Sequence, residues 1–431
     1  MNKILTAAIG CLLSACAYAD DPAWGERMAK MRSTYLSKFC DTRTNLLYAP
    51  PGTDADRDKQ LPDPKLVREQ KPDYRGYGTG MSDTALFGGK VLGALCEAYD
   101  ATGDERIATD ARRLFKGLTF MMTVTKEKGF VPRGPHPADI HAYYKDSSGD
   151  QHWMWMYAMY RTFHSKLATP EDKRLIGRLM ADVVRRFERN GWVNLNEGNT
   201  KPAWASGGHL KTPKFAINYL SLLAIAHATT GDEKWGAMYR DACEEKDGER
   251  LRLLREKDLA PMNIYHPEQT SNKLYVLAHY DKDPKRRALF NTLRKKQAEL
   301  CLAAKYPDLL AKGHRPKHID DAVKACGDKA VLNGAFDWRG KMDEDLMYRR
   351  GKWAKQSALF GLHHIRTVVR WPLIAFNVAL RSGDPDLAAR AAAEARAIIE
   401  KTDWDYRLVK WDNQTRAIVA GSLIQAQEAR R

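Results

Sequence analysis

Two aspartates stand where their carboxylates could carry out acid–base chemistry. Asp83 and Asp150 lie 67 residues apart, and each is placed where a helix of low charge should begin. Paired carboxylates can divide the roles of general acid and general base when their surroundings differ. Aspartate is also a favoured N-cap residue, so a purely structural role competes at both positions. The pattern predicts a catalytic pair, with Asp150 as the principal acid/base and Asp83 assisting it.

The polar loops near such helix starts carry aromatic, cationic and imidazole side chains. A pyranose ring presents apolar C–H faces that stack on aromatic rings and hydroxyls that pair with polar groups. The aromatic residues could instead simply pack the loops onto the helices. The candidate substrate-binding residues are Tyr77, Arg133, His141, Trp204, His209, Tyr265, His266, Trp338 and Arg339.

A second constellation favours a different reaction on the same kind of substrate. β-Elimination of a uronate needs a cation or amide at its carboxylate and a tyrosine or histidine that removes the C5 proton. Residues of these types are His209, His266, Tyr265, Asn199 and Arg339. A polysaccharide lyase is therefore the alternative to a hydrolase.

Motifs for metals and cofactors are missing from the sequence. The adjacent His363 and His364 do not have the i,i+4 spacing of a helical metal pair, and no CxxC or CxxH spacing suggests zinc. The glycine-rich segment 74–80 lacks the lysine of a phosphate-binding loop, and no GxSxG motif is present. We expect neither a metal nor a cofactor.

The chain repeats one structural unit, an apolar helix followed by a tight turn and an amphipathic helix. A helix at 414–429 and another at 23–39 would pair as a sixth unit, and 305–370 breaks the period. No region has the pattern of a sheet core, so the fold class is all-α. The five predicted hairpins are 84–99 with 105–120, 150–167 with 173–189, 215–227 with 234–255, 268–280 with 285–304, and a helix ending at 373–380 with 386–401.

The turns Ala101-Thr-Gly-Asp-Glu105 and Ala228-Thr-Thr-Gly-Asp-Glu233, with aspartates opening consecutive apolar helices, carry a family resemblance. Most of the chain resembles the (α/α)6 toroid of six-hairpin glycosidases and related polysaccharide lyases. The aspartates resemble those of unsaturated glucuronyl hydrolases, which protonate the C4–C5 double bond of lyase products. The resemblance implies one toroid domain over 20–431, with the loops into the inner helices on one face.

The N-terminus has the pattern of an export signal. Lys3 precedes a short apolar run, and Ala17-Tyr-Ala19 fits a signal peptidase site, so 1–19 is predicted to be a signal peptide. Leu13-Ser-Ala-Cys16 also fits a lipobox, which would attach a lipid to Cys16. Both alternatives predict a periplasmic or secreted protein, and the second predicts an outer-membrane lipoprotein.

The formal net charge of +16 favours an anionic partner. No nucleic-acid-binding motif is present, so an acidic oligosaccharide or polysaccharide fits better. Five cysteines follow the leader, and a Cys301–Cys326 bridge is compatible with an oxidising compartment. We expect a glycoside hydrolase acting on uronic-acid-containing oligosaccharides. The alternatives are a lyase and a non-catalytic glycan- or envelope-binding protein.

Overall fold

The structure is a computed structural model, and it describes residues 22–203, 208–256, 266–303, 370–401, 404 and 411–430. These residues are mostly helical, which confirms the all-α class. Several predictions fall outside the described residues. They concern the leader 1–19 with Cys16, Trp204, Tyr265, Cys326, Trp338, Arg339 and the histidines 363–364.

Fourteen α-helices lie in the described ranges, and most match the predicted bounds within three residues. The stretch 40–82, expected to be a long loop, contains two short helices. The helices are α1 Pro22–Phe39, α2 Asp54–Gln60, α3 Pro64–Arg68, α4 Thr84–Thr102, α5 Glu105–Phe120, α6 Gly149–His164, α7 Pro170–Arg189, α8 Ala216–Thr230, α9 Glu233–Glu256, α10 Pro267–Tyr280, α11 Pro284–Ala303, α12 Arg370–Leu380, α13 Pro385–Lys401 and α14 Trp411–Glu428.

Strand structure within the described residues is confined to one small antiparallel pair. β1 (Pro135–His136) and β2 (Asp139–Tyr143) pair Pro135 with Tyr143 and His136 with Asp139. A 3-10 turn at Pro213–Phe215 leads into α8. Helix α9 is kinked at 245–248, where Lys246 and Asp247 take positive φ angles.

Local sequence explains how the two kinds of helix alternate. Helices α4, α6 and α8 are buried nearly all round, whereas α5 and α7 each bury one apolar stripe and expose their charges. The amphipathic helices α5 and α7 begin with side-chain caps. Asp104 accepts from the backbone N–H of Arg106 in α5, and Thr169 forms a capping box with Asp172 in α7.

The buried helices pack against one another in chain order. α4 lies against α6, α6 against α8, α8 against α10, α10 against α12 and α12 against α14, and α14 packs on α4. The partner helices pack on this set, and α1 packs on α14 as the sequence predicted. Glycines allow the closest approaches. A Cβ added at Gly93 would lie 2.5 Å from the ring of Tyr157, and one at Gly89 would overlap the carbonyl of Met154.

A buried ionic cluster joins four of these helices. The Lys90 ammonium of α4 lies 2.6 Å from Glu268 of α10, and the Arg416 guanidinium of α14 lies 3.3 Å from the same carboxylate. Asn377 of α12 donates to the other oxygen of Glu268 at 3.0 Å. Burial alone would raise the pKa of Glu268, but Lys90 and Arg416 outweigh it and lower this pKa to about 2. The cluster holds the helices in register through a single ionised carboxylate.

The cysteines of the described part of the chain are free and buried: Cys40, Cys96, Cys243 and Cys301. Burial raises the pKa of each thiol, which makes them poor nucleophiles. The proposed bridge partner of Cys301 lies outside the described residues. None of the described helices is both long enough and apolar enough to cross a membrane.

Candidate active site

Asp83 occupies the N-cap position of α4, as predicted, but its side chain makes no capping hydrogen bond. The capping acceptor comes from another helix. The side-chain oxygen of Gln151, in α6, accepts from the backbone N–H of Leu86 at 3.0 Å. Leu86 is the third residue of α4, whose N–H an N-cap side chain would ordinarily bind. Because Gln151 satisfies this donor, α4 does not need the Asp83 carboxylate as its cap.

The amide group of Gln151 also fixes the position of Asp83. Its Nε2 donates to Oδ1 of Asp83 and to the backbone oxygen of Ser82, both at 3.1 Å. Gln151 is completely buried. One side chain therefore caps α4, anchors the loop before it and orients the carboxylate.

Electrostatics sets Asp83 apart from an ordinary surface aspartate. Its side chain is recessed, with 30% of its surface open. Burial is the main cause that raises its pKa to about 6, and the charges of Asp150 and Asp412 add to the effect. Arg133 and the hydrogen bond from Gln151 oppose the rise without cancelling it. At pH 7 a carboxyl group with this pKa retains its proton in about one molecule in ten, against fewer than about one in a thousand at its ordinary value of 3.8.

Asp150 lies in the first turn of α6 and is not its N-cap, so that prediction was wrong. The N-cap is Ser148, whose extended backbone precedes a helix that begins at Gly149. The hydroxyl of Ser148 donates to Asp150, and the backbone N–H of Gln151 donates to the same oxygen at 3.0 Å. Asp150 is half-buried, and its charge contributes to the raised pKa of Asp83. The two predicted aspartates therefore do come together.

A third carboxylate, which sequence reasoning missed, completes the group. Asp412, in the first turn of α14, also raises the pKa of Asp83. It pairs with Arg416 one turn further along its helix, at 3.2 Å. We refer to Asp83, Asp150 and Asp412 as the aspartate cluster. A signal existed in the sequence, because Asp412 opens the last apolar helix as Asp83 opens the first.

Arg133, predicted to bind substrate, is fully buried beneath the aspartate cluster. It donates to the backbone oxygens of Ser82 at 2.9 Å and Ser147 at 3.4 Å, and it lies 3.8 Å from Asp83. It therefore joins the loops that precede α4 and α6. Its guanidinium carbon lies 4.7 Å from the centre of the Tyr77 ring. Arg133 acts on Asp83 and Tyr77 and does not reach solvent.

Tyr77 is exposed, as a substrate-stacking residue should be. Tyr77 and Tyr74 are 42% and 45% exposed, and they are the largest exposed rings in the described residues. Arg75 lies between them, 5.4 Å from the centre of the Tyr74 ring and 5.8 Å from that of Tyr77. Two open rings beside recessed carboxylates suit the stacking of sugar rings.

A histidine at the start of α10 and a lysine within that helix lie near Asp150. His266, at the start of α10, is open to solvent on one side. Burial of the remaining ring, followed by the charges of Lys273 and Lys90, lowers its pKa, while Asp150 partly offsets this. Lys273 donates to the side-chain oxygen of Asn218 at 2.7 Å. The sequence identified His266 but not Lys273.

An aromatic ring also lies beside Lys273. The ammonium is 4.7 Å from the centre of the ring of Trp153, which is nearly buried in α6. Trp153 is three residues beyond Asp150 in α6, so the two side chains lie on the same face of the helix. The sequence had instead singled out Trp204 and Trp338 for an aromatic role.

Two predicted binding residues lie elsewhere. His141 is exposed on β2, where its backbone N–H donates to Asp139. His209 is exposed in the segment before α8, where its carbonyl accepts from Thr212. Neither contact connects these residues to the aspartate cluster.

Asn199, considered for the lyase constellation, has a structural role. Its side-chain oxygen accepts from Arg186 at 2.9 Å and from Asn190 at 2.8 Å. The nearby His152 is completely buried, and burial with the charge of Arg186 lowers its pKa to about 3. His152 is therefore neutral: its Nδ1 donates to the Ser148 carbonyl at 3.0 Å, and its Nε2 accepts from the backbone N–H of Val131 at 3.5 Å.

No group of three or more metal-ligating side chains occurs in the described ranges. A cleft of about 490 Å³ lies against α5, away from the aspartate cluster. Its two arginines already have partners, since Arg112 pairs with Asp172 and Arg113 donates to Asn45. The aspartate cluster is thus the better candidate for chemistry.

Comparisons with protein-family models, with curated proteins and with solved structures gave no match to this chain.

Proposed function

We propose that the helices form an (α/α)6 toroid, with α4, α6, α8, α10, α12 and α14 as its inner ring. The packing order supports this, because each of these helices contacts the next and α14 contacts α4. The starts of α4, α6, α10 and α14 lie together, as the mutual electrostatic effects of Asp83, Asp150, Asp412 and His266 require. That is the arrangement expected on one face of such a ring.

We infer that the protein is a glycoside hydrolase that acts on uronic-acid-containing oligosaccharides. The observation that carries this proposal is the state of Asp83. It is an N-cap residue that does not cap, held by Gln151, with a pKa raised to about 6. A capping aspartate would be stabilised as an anion, whereas this one is arranged to hold a proton. Perturbed carboxylates in recesses are typical of catalytic sites.

The chemistry follows from the two carboxylates. Protonated Asp83 donates its proton to the substrate, either to a glycosidic oxygen or to the C4–C5 double bond of an unsaturated uronide. Asp150 accepts a proton from the water that attacks the resulting cationic centre. The sequence suggested Asp150 as the principal acid; the surroundings of Asp83 favour it for that role and leave Asp150 as the base.

The surrounding charges favour an acidic substrate. Lys273 places a positive charge close to His266, whereas the charge of Lys90 is already offset by Glu268. The whole chain carries a net charge of +16, which would attract a polyanion over longer distances. Tyr74 and Tyr77 offer ring faces for the sugar. The leader-like N-terminus is consistent with action outside the cytoplasm.

A lyase is the second candidate, and His266 is the residue that favours it. Its lowered pKa keeps the imidazole neutral at pH 7, as a base that removes the C5 proton must be. Lys273 would then neutralise the uronate carboxylate. Asn199 no longer supports this reaction, because Arg186 and Asn190 occupy its side-chain oxygen.

Ultraviolet absorbance of the C4–C5 double bond distinguishes these functions. Purified protein is added separately to intact uronate polymers and to lyase-cut oligosaccharides. A fall in absorbance with the cut oligosaccharides supports the hydrolase that removes unsaturated uronides, and a rise with the polymers means β-elimination. No change in either pool rejects both reactions on unsaturated or polymeric uronates. An ordinary glycosidase is then tested by release of reducing ends, and binding by calorimetry.

Variants assign the residues once an activity is found. Asp83→Asn and Asp150→Asn should each lower kcat by at least about 100-fold with the fold retained, since each removes a proton-transfer group. His141→Asn is the matched control, because His141 is exposed and lies elsewhere, and it should leave kcat unchanged. If Asp83→Asn keeps wild-type kcat, Asp83 is not the acid.

A further inference from the structure

Buried arginines collect at the opposite ends of the same helices. Arg161 lies near the end of α6, and Arg381 directly follows α12; each is only 5% exposed. They converge on two tyrosines. The guanidinium carbon of Arg381 is 5.9 Å from the Tyr157 ring centre, that of Arg161 is 5.0 Å from the Tyr275 ring centre, and the two rings are 6.5 Å apart. We refer to Arg161, Arg381, Tyr157 and Tyr275 as the arginine pocket.

Several donors in the arginine pocket have no hydrogen-bond partner. They are Nε and Nη2 of Arg381, Nε of Arg161 and the hydroxyl of Tyr157, which is 2% exposed. Buried donors are almost always paired in folded proteins, because leaving one unpaired costs free energy. Oε2 of the neighbouring Glu97 is an unpaired acceptor. Four unpaired donors beside one unpaired acceptor still indicate that acceptors are missing.

Charge in this region is also unbalanced. Glu97, in α4, is the buried carboxylate there, and the charges of Arg161, Arg381 and Arg430 all act to lower its pKa. Arg430 reaches it from the exposed side, at 3.4 Å from Oε1. Arg294 adds a further guanidinium, which donates to the backbone oxygen of Arg381 at 2.9 Å. Asp100 lies 3.8 Å from Arg161 but is partly exposed. Positive charge therefore exceeds negative charge in a buried place, where uncompensated charge is costly.

We propose that the arginine pocket binds a small monovalent inorganic anion of the size of chloride, held by Arg381, Arg161 and the Tyr157 hydroxyl. An anion accepts from all the unpaired donors at once and offsets the excess positive charge. A water molecule could accept two of these hydrogen bonds but would leave the charge unbalanced. The enclosure of the side chains favours a single small ion over a sugar acid.

This site is separate from the aspartate cluster. Glu97 is 14 residues beyond Asp83 in α4, which corresponds to about 21 Å along the helix. Anion binding there would join α6, α10 and α12 at the ends that do not carry the proposed catalytic groups. The inference therefore stands or falls independently of the proposed hydrolase activity.

Bromide, a chloride substitute with a usable anomalous signal, gives the direct test. Crystals of the wild-type protein soaked in sodium bromide should show an anomalous peak within hydrogen-bonding distance of Arg381 and Arg161. In solution, sodium chloride should raise the melting midpoint saturably by a few degrees over sodium gluconate at equal ionic strength. Arg381→Gln should remove this chloride-specific rise.

The control is Arg174→Gln, at a site on α7 where the arginine is exposed beside Glu171, and it should keep the rise. If the pocket holds only water, no bromide peak appears and the midpoint is the same in both salts, which overturns the proposal. Should Arg381→Gln fail to fold, the bromide crystal alone decides.

Discussion

Replacing Asp83 by asparagine should stabilise the protein at neutral pH. In the folded protein the pKa of Asp83 is about 6, whereas in the unfolded chain it returns to its ordinary value of 3.8. The unfolded state therefore releases the proton first as pH rises. Ionised Asp83 thus favours unfolding, and this penalty starts near pH 4 and is complete above about pH 6 to 7.

The size of the effect follows from the two pKa values. The penalty at pH 7.5 is about 3 kcal/mol at most, because each unit between the two values is worth about 1.4 kcal/mol. Solvent at the open side of the carboxylate weakens the electrostatics, so we expect about 2 kcal/mol. At pH 4 the penalty is only about 0.5 kcal/mol. Asparagine can still accept the hydrogen bond from Gln151, so Asp83→Asn removes the charge with little change in shape.

The assay is urea denaturation of wild type and Asp83→Asn at pH 4 and pH 7.5. The variant should have the higher free energy of unfolding at pH 7.5 and nearly the same value at pH 4. Asp104→Asn is the matched control, because Asp104 caps α5 and has a lowered pKa. It should lose stability at pH 7.5, and the loss should shrink as pH falls through that pKa. Destabilisation by Asp83→Asn at pH 7.5 would refute the argument and make Asp83 a structural residue.

Three further predictions concern the framework of the site and are measured by the same denaturation. Gln151→Ala should cost about 1–3 kcal/mol, because α4 loses its cap and Leu86 keeps a buried unpaired N–H. Gly89→Ala should cost about 1–3 kcal/mol, because the added methyl group overlaps the backbone of α6. Lys90→Met should cost about 3–5 kcal/mol, because it leaves a buried carboxylate with one cation fewer.

Matched controls separate these effects from the substitutions themselves. Gly25→Ala adds a methyl group to α1 where no atom lies within 4 Å, so it should be neutral or stabilise the protein by up to about 1 kcal/mol. Lys71→Met removes an exposed lysine paired with Glu69 and should change stability by less than about 0.5 kcal/mol. Equal costs for Lys90→Met and Lys71→Met would show that the buried ionic cluster does not stabilise the fold. A fully neutral Gln151→Ala would mean that α4 needs no cap from α6.

The helices could be read from the sequence because their signals are local. Apolar periodicity and side-chain caps act within a few residues, so α5 was predicted with its observed bounds of 105–120. The sequence also predicted that Asp83 and Asp150 lie near each other, because both stand at the starts of apolar helices. The N-cap of α6 was misplaced by two residues, because Ser148 and Asp150 are both good capping residues and only backbone geometry separates them.

The sequence by itself determined the all-α class, the order of helices and the excess of positive charge, because composition, periodicity and short turns encode them. Only the tertiary structure decided that Gln151 caps a helix 65 residues earlier in the chain. It likewise decided that Asp412 joins Asp83, and that Lys90 and Arg416 share Glu268. These pairings depend on helix packing, which brings distant residues together. The raised pKa of Asp83 is a consequence of that packing, since burial and neighbouring charges exist only in the folded chain.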